Sequence, residues 1–136
     1  MKKIAAVLLA CLFFTMTASA REFEEPDVIR CTCYCIHGRT ASGCDTRYGI
    51  VSGKKEWIGS VAELHQVNED GSIGPFIGYF EFKDTGAGFD TNGDGVGDSI
   101  PNGESIDVWV DCKDEAYMWS DAFGDYVYMK IIKGKG

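Results

Sequence analysis

Asp107 stands in the run Ser105–Val110, SIDVWV, as a carboxyl group between Ile106 and Val108. Period-two alternation puts Asp107 on one face with Trp109 and turns Ile106, Val108 and Val110 to the other. A partly buried carboxyl keeps its proton through desolvation and any nearby like charge, which suits it to general acid and then general base work. The plain alternative is a surface-facing aspartate on a half-buried strand. Asp84 ends the apolar run Phe76–Lys83, FIGYFEFK, where Gly86 and Gly88 allow a sharp turn. Beside Asp107 it would raise that group's proton affinity and stabilise developing positive charge. Alone, it would simply cap a turn.

A second acidic constellation is DTNGDGVGD, Asp90–Asp98. A calcium loop of the EF-hand type places oxygen ligands at its positions 1, 3, 5, 7 and 9 around a glycine at 6. Asp90, Asn92, Asp94, the Val96 carbonyl and Asp98 fit those places, with Gly95 at the sixth. Pro101 stands where the bidentate glutamate belongs, and no helix is expected on either side. The expectation is weak Ca²⁺ binding of the extracellular kind, with a solvated Asp/Gly hairpin tip as the alternative. No organic cofactor is expected.

The remaining reactive side chains invite plainer readings. CTCYC carries Cys31, Cys33 and Cys35 just before His37, but zinc sites favour a C-x₂₋₄-C spacing on turns, whereas this run reads as a strand. With Cys44 and Cys112 they are odd in number after the leader, so disulfides or buried free thiols are expected rather than metal. His65 reads as structural or surface. Lys54, Lys55 and Glu56 read as a solvated loop, and Asp111 as a helix N-cap.

Stepping outward, residues 1–20 have a basic start, an apolar run from Ile4 to Phe14 and a small-x-small end at Ala18-Ser19-Ala20, the pattern of a removable export signal. The run is shorter than the roughly 20 apolar residues a spanning helix needs. LLAC at Leu8–Cys11 resembles a lipoprotein box, yet the apolar run continues past Cys11, so a lipid anchor is disfavoured. A secreted or cell-envelope protein is expected, with a lead-in over 21–30, one domain over 31–132 and a flexible tail over 133–136. With 21 acidic against 13 basic residues the formal net charge is −8, and Lys2 and Lys3 lie within the leader. Such a surface repels phosphate backbones and anionic lipid, which argues against nucleic acid and membrane partners.

Period-two runs at Val28–Ile36, Tyr48–Ser52, Ser60–Val67, Phe76–Lys83, Ser105–Val110 and Asp125–Ile132 predict six strands. Lys113–Phe123 is the one predicted helix, with Ala116, Trp119 and Phe123 at helical spacing and Gly124 to stop it. The class is all-β (mainly β with one short helix), a small barrel or sandwich, of a size that permits a monomer.

Three motifs in order, TASG at Thr40–Gly43, KDTGAG at Lys83–Gly88 and SIDVWVDCKDEAYMW at Ser105–Trp119, resemble the three-aspartate (3D) domain family over nearly the whole exported chain. That family has a TASG stretch, a D-T-G-G segment and an I-D-V strand leading into a D-S-x-x-E-A helix. The resemblance implies a six-stranded double-psi β-barrel similar to the catalytic domain of membrane-bound lytic transglycosylase A. It also implies peptidoglycan glycan strands as the partner, cleaved to 1,6-anhydro products with Asp107 as acid/base and Asp84 assisting. One carboxyl can perform both steps, since the sugar's own 6-hydroxyl is the nucleophile. Thr40, Ser42, Gly86 and Trp109 are the substrate-binding candidates, with structural bracing the alternative for the first two. The chain departs from the family twice. Where the family carries another aspartate, the segment Ile50–Gly59 has none, and Ser52 falls near its place. The stretch between Asp84 and Asp107 is longer, the surplus being the acidic loop. A non-catalytic glycan-binding or wall-loosening module, similar to expansins, is the alternative, and a calcium-dependent interaction protein is the second.

Overall fold

The computed structural model describes residues 27–133. The expected leader, the Cys11 box and residues 134–136 of the tail lie outside them. The strands are β1 (Asp27–Tyr34), β2 (Ile50–Ser52), β3 (Val61–Val67), β4 (Ile73–Asp84), β5 (Ser105–Trp109) and β6 (Tyr126–Ile132), with helix α1 (Lys113–Phe123) between the last two. A 3₁₀ turn at Lys55–Trp57 joins β2 to β3. The protein is therefore mainly β with one helix, as its alternating pattern predicts. Among the described residues no helix is long and apolar enough to cross a membrane.

The strands close on themselves in the order β1-β5-β2-β4-β3-β6. β1 runs parallel to β5 and β2 parallel to β4, while the other four pairings are antiparallel. Among the described residues, closure leaves no free strand edge to recruit another chain. It also divides every strand into an inner and an outer row. Ile29, Cys31, Val51, Ala62, Leu64, Phe82, Ile106, Val108, Val127, Met129 and Ile131 form the inner core. Those residues recur at every second position of β1, β3, β5 and β6, so hydrophobic burial fixes which row faces in. Phe82, the largest fully buried side chain, fills the middle of the ring.

Most strand ends differ from the sequence reading by one or two residues, as between Tyr48 and Ile50 at the start of β2, and two differences are larger. Residues 27–30, counted with the lead-in, belong to β1, because Asp27–Arg30 pair with β6. β4 begins at Ile73 rather than Phe76, because it pairs with Val67 across a register shift that absorbs Gly74 and Pro75. Helix α1 keeps its predicted bounds and lays Trp119 against Phe80 and Phe123. Its N-cap is Cys112, in extended geometry, not Asp111. Glu115 instead accepts the Asp111 amide at 3.0 Å, and the Asp111 carboxyl faces His37 at 3.4 Å. A carboxylate reaching back from the first turn satisfies the amide that a side-chain cap would have left free.

Candidate active site

The outer row of four neighbouring strands brings the chemistry together. Thr32 on β1 pairs with Asp107 on β5, Asp107 pairs with Ser52 on β2, and Ser52 pairs with Asp84 on β4. A register shift between Val51 and Ser52 turns Asp84 into this row at the end of its strand. The two carboxyl residues thus flank Ser52 on adjacent strands, although residues 89–99 and more separate them along the chain. Alternation explains the placement. Cys31 and Cys33 point into the core, so Thr32 and Tyr34 must point out.

Asp107, Ser52 and Asp84 of this row floor a cleft of about 320 Å³. Its lining also includes the glycine-rich run from Thr85 to Gly88 with Ile100, and Ile36, Gly38, Arg39 and Thr46 from the loop after β1. Asp107 accepts a hydrogen bond from the Thr32 hydroxyl at 2.9 Å. Burial raises its pKa, that hydrogen bond opposes the rise, and the negative charge of Asp84 adds to it. Asp84 is held by three donors: the Tyr34 hydroxyl at 2.9 Å, the Ala41 amide at 2.9 Å and the Thr85 amide at 3.0 Å. Burial also pushes the Tyr34 phenol up, so it keeps its proton and remains a donor to Asp84. Asp107 is therefore disposed to carry a proton, which suits it to acid–base work, while Asp84 is held in place by its three donors.

Of the substrate-binding candidates, Gly86 lines the cleft and the others do not. Thr40 is buried, with its hydroxyl 3.0 Å from that of Ser42 and 3.2 Å from the Cys44 sulfur. The amides of Ala41 and Ser42 bond to the Asp84 carboxylate and the Lys83 carbonyl. The TASG segment is thus the brace that orients Asp84. Trp109 is 4% exposed. Its indole donates to the Ile36 carbonyl at 2.8 Å, and its ring meets His37 and Tyr48. It lies beside a separate apolar hollow of about 420 Å³ between α1 and the ring. Sharing a strand face with Asp107 did not bring it into the cleft, because loops 35–49 cover that end of β5.

Thr32, Tyr34, Ser52 and Arg39 were not singled out as site residues by sequence. Thr32 and Tyr34 alternate with the cysteines of β1, but only the parallel pairing with β5 brings them to the carboxyls. Lys54, Lys55 and Glu56 are outside the cleft lining, with Lys54 and Glu56 3.8 Å apart. All five described cysteines are free thiols. Burial, aided by Asp107, pushes Cys33 up to about 12, while hydrogen bonds from Thr40 and Ser42 draw Cys44 down. His65 bonds to Glu63 at 2.8 Å and to the Gly74 carbonyl at 3.2 Å, a structural clamp on β3 and β4.

The acidic loop forms the far side of the glycine wall. Asp90 accepts the amides of Gly93 at 2.7 Å and Gly95 at 2.8 Å, Asn92 that of Asp94, and Asp94 that of Val96. Asp98 accepts both the amide and the hydroxyl of Thr91 at 2.8 Å. These side chains satisfy the loop's own backbone, and among the described residues no three His, Cys, Asp or Glu side chains gather as a metal site. The loop base is tied to the ring by Arg30, which lies 4.0 Å from the Phe89 ring centre, and by Ser99, bonded to Ser105 at 2.6 Å.

No family model matches the chain, and no curated protein or solved structure gives a significant match.

Proposed function

We propose that the protein is an exported, peptidoglycan-active lytic transglycosylase built on a double-psi β-barrel. The observation that carries the reading is the pairing of Asp107, raised in proton affinity, with a braced Asp84 across Ser52 on the floor of an open cleft. Two parallel strand pairs within a closed six-strand ring support the barrel assignment. In the proposed reaction Asp107 protonates the glycosidic oxygen as the C–O bond breaks. Asp84 lies on the side of the developing oxocarbenium charge. Asp107, now a carboxylate, then takes the proton from the sugar's 6-hydroxyl as that oxygen closes on the anomeric carbon, giving the 1,6-anhydro end and restoring the acid. No water is consumed, so the wide carboxyl spacing of inverting hydrolases is not required.

The test is incubation of the exported form with purified sacculi and mass spectrometry of the soluble products. Anhydro-muropeptides from the wild type that vanish in Asp107→Asn are expected. Sedimentation with sacculi but no products would instead support the glycan-binding or wall-loosening module. That reading is favoured by Ser52, which falls near the place where the three-aspartate family has another aspartate and leaves the floor with two carboxyls.

Calcium at the acidic loop is the structural part of the proposal. The closure of Asp90 on the Gly95 amide, with Asn92 and Asp94 spaced between, supports it. Ca²⁺ would stiffen the wall of the cleft without entering the chemistry.

A further inference from the structure

The cleft is not uniformly acidic. Among its lining residues Arg39 is the one cation, and it shares the cleft with both carboxyls and the glycine-rich run. The Arg39 backbone is pinned by a bridge to Asp45 and by the Thr40 amide bonding to the Cys44 carbonyl, so the residue sits on a fixed turn. Its neighbour Arg47 is engaged with Glu81, but among the described residues no carboxylate lies within ion-pair distance of Arg39. An arginine that lines the same cleft as two carboxyls and forms an ion pair with neither is available to an anion brought by the ligand.

We propose that Arg39 makes the cleft selective for a glycan that bears a carboxylate substituent, by pairing with that carboxylate while the sugar ring lies over Asp107 and Asp84. This rests on the glycan reading above and deepens it. The guanidinium presents paired N–H donors in a plane, matching a carboxylate with two parallel hydrogen bonds. The floor gives the selectivity its sharpness. Without Arg39, a carboxylate entering the cleft meets Asp84, Asp107 and a strongly acidic molecule, so it is repelled rather than ignored. The glycine-rich run offers no charge in its place, since Thr85, Gly86, Ala87 and Gly88 carry a hydroxyl, a methyl group and backbone but no cation. A substituent carboxylate has one favourable direction to point, which also fixes how the glycan lies over the acid.

The experiment is calorimetric titration of the whole exported protein with two soluble oligosaccharides of equal length. One is a muramyl oligomer carrying lactyl carboxylates, the other a neutral chitin oligomer. The wild type is expected to bind the carboxylate-bearing ligand about tenfold more tightly, as a charge-assisted pair in a half-open site provides. Arg39→Gln should abolish that preference while leaving the neutral ligand's affinity and the thermal midpoint unchanged. Arg39→Lys should restore only part of it, and 0.5 M salt should shrink the wild-type preference by screening, at a Debye length of about 4 Å. A wild type that binds both ligands equally, or an Arg39→Gln variant that keeps the preference, overturns the Arg39 assignment and leaves the glycan reading standing. Binding of neither ligand, with no sedimentation on sacculi, overturns both.

Discussion

At the residue scale, the floor of the cleft assigns different work to chemically identical groups. Asp107 has one hydroxyl donor and is partly buried, whereas Asp84 has three donors, two of them backbone amides. The raised pKa of Asp107 has a consequence for stability as well as rate. The folded protein holds that proton more tightly than the unfolded chain does. The contribution is therefore fully present below the unfolded value near 3.9 and is lost as pH rises through the folded value. Asp107→Asn, neutral at every pH, escapes that loss. We expect its thermal midpoint to exceed the wild type's by a few degrees at pH 8, with the gap closing at pH 4, even as product formation disappears. A variant equally or less stable at pH 8 would mean that burial of the ionised carboxyl is not costly here. Catalytic rate should likewise fall as pH rises through the Asp107 pKa, above the ordinary aspartate range. Tyr34→Phe removes only the hydroxyl that holds Asp84, so turnover should drop with glycan affinity kept, at a stability cost of about 1 kcal/mol measured by urea unfolding.

At the scale of elements, the long connection from β4 to β5 is the part to test, because it forms one cleft wall. Gly88 has a φ of +77°, and a Cβ there would lie 2.1 Å from the Ser99 hydroxyl oxygen. Gly88→Ala should therefore cost about 2 kcal/mol and weaken glycan binding, since strain and overlap act together. An unchanged midpoint would show that the wall yields freely. The acidic tip of the same connection is separable. Calorimetry should give a Ca²⁺ heat and a thermal shift in the wild type that Asp94→Ala loses. If the wild type gives neither, the loop is a self-bonded turn and no more. Asp94→Ala should leave cleavage by the calcium-free protein intact, because the tip lies beyond the cleft lining.

For the molecule as a whole, ring closure ties distant parts of the chain together. β1 pairs with both β5 and β6, so the N-terminal strand is unsatisfied until the last strand has formed. Contacts of such long sequence separation slow folding into the millisecond-to-second range and make unfolding cooperative. Leu64→Ala, at a fully buried inner position, should cost about 2–5 kcal/mol in one transition, followed by urea titration under reducing conditions that keep the thiols free. Two separable transitions would mean that the ring does not fold as a unit.

Much of this was legible in the sequence because it depends on local period. Strand alternation named nearly every element, separated Cys31 and Cys33 from Thr32 and Tyr34, and set Asp107 apart from Ile106 and Val108. Helix spacing and Gly124 bounded α1. The acidic run could be read as a turn from its residues alone, and the charge balance weighed against nucleic acid. What only the tertiary structure decided is adjacency between strands far apart in the chain. Periodicity says which way a side chain points but not which strand lies beside it, so the row Thr32–Asp107–Ser52–Asp84 and the place of Arg39 in the same cleft were invisible until the ring closed. The same limit explains Trp109 and Thr40. Both belong to the quoted motifs, but whether such a side chain lines a cleft or is covered depends on the segments packed over it, which no local pattern records.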